Sequence, residues 1–384
     1  MKKNNIIKII SMAMLVIATV SSAVACSGTT DTKNTESSVQ SSVQESFVDT
    51  ESSIQSEASQ ESSDDTSNSE SLEAEENSEI PEISDPTPDA TGQTVNGIFI
   101  YNNAAFELFY GSESMAKNYA DTISNIKNSL DDDITVYNVL VPTHVGVGLP
   151  DKFSDISNSQ EDYLNTICNS YSADVISVNV FDTIMHHRDE YLYFNTDHHW
   201  TAKSAYYAYA DFADKAGIEA IPLESMEKNE ITDYFGSFTN NDEVAAYLTI
   251  PDTVVYYKTD ADIECMQYDK NAENPYETLL LHEYATGINS YGVFLGGDNP
   301  LMVAKNSDGN GKKIAVIKES YGNAFAPFIA FTYSETHIID SRYFKADLKQ
   351  YLKDNEITDV IFINNSMASA TSTRCDELAA LVKS

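Results

Sequence analysis

The chain is expected to fold as an α/β protein with a mainly parallel sheet and flanking helices. Strand-like apolar runs alternate with helical patterns through residues 93–384, and alternation of that kind implies right-handed crossovers onto one sheet. The alternation is cleanest in 312–366. Polar groups gather where these strands should end: Ser320, Asp340-Ser341-Arg342 and Asn364-Asn365. Open α/β sheets take their ligands at the carboxyl ends of the strands.

The elements follow in order. VNGIFIY (95–101) reads as a strand and 114–130 as a helix. ITVYNVLVPT (134–143) reads as a buried strand ending at a proline. Ser159 opens a capping-box-like SQED before the helical apolar positions Tyr163, Leu164, Ile167 and Tyr171. ADVISV (173–178) is a strand, with a short helix running to His187. Residues 191–194 read as a short strand before a DHHW loop. Thr201 is placed to N-cap a helix over 202–216, with Gly217 at its C′ position. Residues 225–312 are expected to be an irregular inserted region, rich in Tyr with short β-like runs. KKIAVIKESYGNAFAPF (312–328) is a strand, a sharp turn and a helix. A strand over 335–344, a helix over 345–355 and a strand over 357–366 complete the pattern.

The N-terminal flank has a different character. Lys2, Lys3 and Lys8 precede an apolar stretch over 9–20 that is short for a membrane span. Ala23-Val24-Ala25-Cys26 then gives the small-residue cleavage pattern of a secretory signal. The Cys at that point resembles the lipobox of bacterial lipoproteins, with Ala23 where Leu is more usual. That resemblance implies a 1–25 signal peptide, cleavage before Cys26 and a lipid anchor on its thiol. Residues 26–92 read as a tether. Its 27–92 stretch holds 17 acidic residues against one lysine and few apolar ones, a composition that cannot build a core. A flexible chain of that length spans roughly 45 Å.

The whole chain carries a net charge of −37. No basic patch stands out, which excludes nucleic acid as an expected partner. Cys168, Cys265 and Cys375 are widely spaced and do not form a disulfide framework, although one bridge among them stays open.

FNTDHHWTAKSAYYAYADF (194–212) is the densest chemical signal. Asp197, His198, His199 and Trp200, the sole tryptophan, stand together at the mouth of a helix. Three readings are open. A structural polar cap is one. A metal site is the second, with Asp197, His198, His199 and the pair His186-His187 as ligand types. It lacks any H-x-x-x-H or Cys/His spacing, so no metal and no cofactor is expected. The third is part of a catalytic triad. A Ser hydroxyl becomes a nucleophile when a base takes its proton, and the base needs a third group to set its tautomer. Ser320, in a strand–turn–helix context, is then the nucleophile, His199 the base and Asp197 its orienter. Trp200 suits either packing or sugar stacking. The many tyrosines of 206–291 are core and surface aromatics or a sugar platform.

EYLYFNTDHHWT, GVFLGGDNPL, IKESYGNAFAPF and IIDSRYF together resemble the DHHW family of Gram-positive exported proteins, over nearly all of 93–384. That family is similar to the SGNH-hydrolase-like domains of alginate O-acetylation proteins. The resemblance implies an SGNH-hydrolase-like sheet with a circularly permuted motif order, Asp197 and His199 preceding Ser320. It implies oxyanion donors at Ser320, near Arg342 and at Asn364 or Asn365; Ser341-Arg342 stands where a Gly is usual. The expected function is an acetyl transferase that passes an acyl group through Ser320 to hydroxyls of a cell-surface polysaccharide. A membrane-bound O-acyltransferase is the expected partner. The location is the outer face of a Gram-positive cell membrane. A carbohydrate esterase with the same triad and a non-catalytic, glycan-binding envelope lipoprotein are the alternatives.

Overall fold

The computed structural model describes residues 79–382. The signal segment, Cys26 and the tether up to residue 78 lie outside the described residues. Residues 79–92, read from composition as the end of the tether, are partly fastened to the domain. Asp85 Oδ2 lies 2.9 Å from Lys152 Nζ, and Asp85 Oδ1 accepts a 2.5 Å hydrogen bond from the Tyr101 hydroxyl. Lys152 also donates to the carbonyls of Pro88 and Ala90. The folded part therefore begins ahead of residue 93.

Strands β1 (Gln93–Val95), β2 (Ile98–Tyr101) and β3 (Ala104–Glu107) form an antiparallel meander. The expected single strand over 95–101 is broken at Asn96-Gly97, where φ is 51° and 82°. Two-residue hairpin turns favour this pair because both positions need positive φ. Helix α1 (Glu113–Ser129) starts on Ser112, whose side chain accepts from the Met115 N–H. It leads to β4 (Thr135–Val141), α2 (His144–Val147) and α3 (Gln160–Cys168). Ser159 caps α3, accepting from the Asp162 N–H at 3.0 Å. Strand β5 (Val175–Asn179) and α4 (Phe181–His186) follow. Residues 191–194 form no strand; Tyr193 alone bridges to Trp200. Helix α5 (Ala202–Ala216) is capped by Thr201 and closed by Gly217 at φ 62°.

The 225–312 region is more regular than its sequence suggested. Strands β6 (Glu227–Tyr234) and β7 (Asp252–Lys258) pair antiparallel around α6 (Asp242–Ala245). Strands β8 (Ile263–Tyr268), β9 (Tyr276–Thr278) and β10 (Leu301–Asn306) enter the main sheet. After them come β11 (Lys313–Lys318), α7 (Gly322–Thr332), β12 (Glu335–Asp340), α8 (Leu348–Asp354), β13 (Asp359–Asn365), α9 (Ser366–Ser369) and α10 (Ser372–Ala379).

The main sheet has eight strands in the order β5-β4-β13-β11-β12-β10-β8-β9. β5, β4, β13, β11 and β12 pair in parallel; β10, β8 and β9 extend the sheet antiparallel. Helices α5 and α7 pack on one another, and α1 packs on α3 and α10. Ile314, Ala315, Val316 and Ile317 of β11 are all fully buried. A strand covered on both faces reads as such a continuous apolar run. Cys168, Cys265 and Cys375 are free thiols. Among the described residues no helix is long and apolar enough to cross a membrane.

Candidate functional site

Ser320 sits on the turn between β11 and α7, the two central elements of the C-terminal run. The turn is tight: the Gly322 N–H donates to Glu319 O at 3.0 Å and the Asn323 N–H to Ser320 O at 3.1 Å. Gly322 is required by packing. A Cβ there would lie 2.5 Å from Lys318 Cβ and 3.1 Å from Ile363 Cγ2. The sharp reversal lifts the Ser320 side chain off the end of the sheet.

The DHHW loop folds over the same end. Asp252 anchors its base, accepting from the Asn195 N–H at 3.0 Å and the Thr196 N–H at 2.8 Å. Asp197 Oδ1 then accepts from the His199 N–H at 2.9 Å, which bends the loop back on itself. That bend brings His199 Nδ1 to 2.6 Å from the same oxygen. The other ring nitrogen, Nε2, lies 2.8 Å from Ser320 Oγ. A carboxylate facing Nδ1 holds the proton there, which leaves the Nε2 lone pair for the serine hydroxyl. Asp197 Oδ2 accepts from the Ser237 N–H at 2.7 Å. Burial opposes ionisation of Asp197. Its hydrogen bond to His199, the charges of both histidines and the Ser237 N–H hold the carboxyl well below its ordinary range all the same.

His198 turns away from Ser320. Its Nδ1 pairs with Ser237 Oγ at 2.6 Å, and its carbonyl accepts from the Tyr321 hydroxyl at 2.5 Å. Burial, together with the neighbouring His199, pushes its pKa down to about 4. It is therefore neutral near pH 7.

Three residues that the sequence did not mark complete the site. Tyr291 stacks on His199, and its hydroxyl donates to Ser320 O at 3.0 Å. Tyr321 holds the DHHW backbone through its hydroxyl. Glu319, buried beside the nucleophile, accepts from the Tyr321 N–H at 3.0 Å with Oε2. Its Oε1 accepts from the Asn365 N–H at 3.2 Å and Asn365 Nδ2 at 3.1 Å.

The remaining expected residues take other roles. Trp200 is fully buried and donates from Nε1 to Tyr321 O at 2.9 Å, so it packs the turn and offers no face to a sugar. Asn364 is also fully buried; its amide donates to the Tyr119 hydroxyl at 2.7 Å and accepts from Arg374 Nε at 2.5 Å. It is a core residue and not an oxyanion donor. Asn365 reaches the site only through Glu319, while its Oδ1 caps α9 on the Ala368 N–H. The Arg342 N–H is taken by Asp340 Oδ1 at 3.1 Å. The Arg342 guanidinium closes a charge cluster, with Nη2 at 2.6 Å from Asp340 and 2.8 Å from Asp298; buried Lys318 lies 2.8 Å from Asp340. No backbone donor is left at Arg342 for an oxyanion.

Asp197, His198 and His199 offer ligand atoms within 4.8 Å of one another, enough to suggest a metal centre. Both His199 nitrogens and His198 Nδ1 are already committed, so an ion there would have to displace Asp197 or Ser320. His186 and His187 do not join this group; they bond to Asp182 O and Glu190.

Comparison with known proteins agrees with this architecture. A crystal structure of a DHHW family protein from Eubacterium siraeum superposes with a TM-score of 0.71 at 26% identity, covering 77% of this chain and 99% of that one. Bacillus cereus PatB1, solved with a sulfonyl adduct, superposes with a TM-score of 0.61 over 74% of this chain and 100% of its own, a likeness of fold at 18% identity. No curated protein matches the sequence. The model of the DHHW protein family matches residues 30–339, which include Asp197, His199 and Ser320. The chain belongs to the DHHW protein family.

Proposed function

We propose that the protein is an SGNH-type acetyltransferase that acts on hydroxyls of a cell-surface glycan. The unbroken chain from Asp197 through His199 to Ser320, with links of 2.6 and 2.8 Å, carries the reading. His199 Nε2 takes the hydroxyl proton as Ser320 Oγ attacks the acyl carbonyl. The tetrahedral intermediate collapses, the donor oxygen leaves with that proton, and acetyl-Ser320 remains. An acceptor hydroxyl then gives its proton to His199 and attacks the ester carbonyl, which releases Ser320 and the acetylated sugar. Asp197 stabilises the imidazolium in both halves. For the oxyanion, the site offers the Ser320 N–H at the positive end of α7. That N–H makes no hydrogen bond to another described residue.

The sulfonyl adduct of PatB1 supports a reactive site in this fold. The same three groups would serve an esterase with water as the acceptor, and a chain whose triad does not react would be a glycan-binding protein. Export, the lipid on Cys26, the tether and a membrane-bound O-acyltransferase that supplies acetyl groups belong to the same proposal. The test is mass spectrometry of the full chain after incubation with an activated acetyl ester, and separately with a sulfonyl fluoride. An acetylated and a sulfonylated Ser320 peptide are expected, both absent from Ser320→Ala. Added oligosaccharide should gain acetyl groups faster than free acetate accumulates; the reverse ratio assigns an esterase. If folded protein gives neither adduct, the catalytic reading fails and the binding reading stands. Loss of the Cys26→Ser protein from the membrane fraction tests the anchor.

A further inference from the structure

A cleft of about 470 Å³ lies away from Ser320, on the side of the sheet covered by α8. The strand register builds its floor. Leu301 of β10 pairs with Tyr268 of β8, Val303 pairs with His337 of β12, and Lys305 pairs with Glu335. Alternate residues of a strand share a face, so these side chains make one continuous surface. Leu301 and Val303 are buried at the bottom. Tyr351 of α8 forms one wall.

The polar groups there are ordered. His337 is 1% exposed and lies on the same face of β12 as Glu335. Its Nε2 lies 2.8 Å from Glu335 Oε1 and its Nδ1 2.6 Å from the Tyr351 hydroxyl. This Glu–His–Tyr chain, buried at His337 and half-buried at its two ends, fixes the tyrosine ring at the cleft wall. The rim is built of amides and carboxylates, among them Asn271, Glu273, Gln350 and Asp354.

These features select a ligand class. Four carboxylates against one lysine line the cleft, which disfavours an anion. Both nitrogens of His337 are committed, which disfavours a metal ion. Gln350 Nε2 already donates to Asp354 Oδ1 at 2.7 Å, and an acyl chain would strip water from the rest of this polar rim while offering it no hydrogen bond in return. A sugar fits, with its C–H faces on tyrosine and aliphatic side chains and its hydroxyls on amides and carboxylates. The volume falls within the ~300–1,000 Å³ usual for small-ligand sites.

We propose that this cleft is a second site, which binds a neutral or amine-bearing saccharide segment independently of the reaction at Ser320. Such a site would keep a polymer attached while its hydroxyls pass the catalytic end of the sheet. The test is calorimetric titration of the full chain with gluco-, manno- and N-acetylglucosamine tetraoses, a glucosamine tetramer, an oligouronate and a fatty acid. At least one neutral or amine-bearing tetramer should bind. Gln350→Trp fills the cleft from an exposed helix position, and Asp354→Ala removes a rim acceptor; each should weaken binding about tenfold. Ser320→Ala should leave the affinity unchanged, so failure here and failure of the triad read out separately. No binding by any sugar overturns the proposal. So does binding of the oligouronate or fatty acid alone, or affinity that falls in Ser320→Ala but survives both rim variants.

Discussion

Tyr291 lies face to face with His199, ring centroids 3.9 Å apart and planes 11° apart, while its hydroxyl holds the carbonyl of Ser320. One side chain thus fixes both the base and the backbone of the nucleophile. Tyr291→Phe keeps the ring contact and loses one hydrogen bond, worth about 1 kcal/mol. Tyr291→Ala frees the imidazole as well, and a displacement of that kind costs on the order of 10² in rate. The expected order of Ser320 acetylation rates is wild type, then Phe, then Ala by a wide margin. Equal rates in Phe and Ala would show that the stack does nothing for the base.

The triad should behave as a unit. Ser320→Ala and His199→Ala should each abolish acetyl-ester turnover, and the double variant should be no slower than either, because all three remove the same step. Asp197→Asn replaces an acceptor with an amide at His199 Nδ1 and mis-sets the tautomer. By analogy with serine proteases the cost is on the order of 10⁴ in turnover, with the fold retained. Additive losses in the double variant would separate the two residues.

How much of this was legible in the sequence depended on chain distance. Asp197 and His199 stand two apart and Ser320 lies in a strand–turn–helix context, but residue type and spacing left a structural cap and a metal site open as well, and the motif order implied by the resemblance to the DHHW family joined the three. Tyr291 contacts the site from a short 3₁₀ segment, Gly287–Val293, 92 positions after His199 and 29 before Ser320, and nothing local marks it. Asn364-Asn365 shows a different limit. Neighbouring residues on a strand point to opposite faces, so only one could reach the nucleophile, and sequence does not say which. Asn365 faces Glu319 and Asn364 faces the core. The sheet beyond β12 was hidden because β8, β9 and β10 have six, three and six residues and lie among turns.

Glu319 ties the nucleophile turn to the end of β13. Glu319→Gln keeps the shape but presents an NH₂ to donors that need an acceptor, either at Tyr321 N–H or at Asn365. A buried donor left unpaired costs about 1–3 kcal/mol. The variant should melt earlier and lose sulfonylation of Ser320 by more than its unfolded fraction explains. Wild-type labelling in a folded variant would make Glu319 structural only.

Acid should destabilise the protein in two windows. His198 falls to about 4 in the fold from the 6.5 of a free imidazole, so the unfolded chain binds more protons between those values. Stability is therefore lost as pH drops from 6.5 towards 4. Buried His144, pushed down to about 3, adds a loss of the same sign. Asp197 contributes below about pH 4, where the unfolded carboxyl protonates and the folded one resists. Thermal melts of His198→Gln across pH 4–7 should fall less steeply than wild type. An identical slope would place the acid sensitivity elsewhere.

The doublet His198-His199 finally separates a triad from a metal centre. Each His199 nitrogen is within 2.8 Å of a partner, Asp197 on one side and Ser320 on the other, and catalysis needs both contacts. A strong chelator should leave acetyl-ester turnover unchanged. Added zinc should inhibit, because Asp197, His198 and His199 gather ligand atoms within 4.8 Å and an ion held there takes the lone pair that Ser320 requires. His198→Gln should keep most of the activity, since His198 contacts Ser237 and not Ser320, and should weaken zinc inhibition by removing one ligand. His199→Ala should be inactive with or without zinc. Activity that chelation removes and zinc restores, or a His198→Gln as dead as His199→Ala, would replace the triad with a metal centre built from the same three residues.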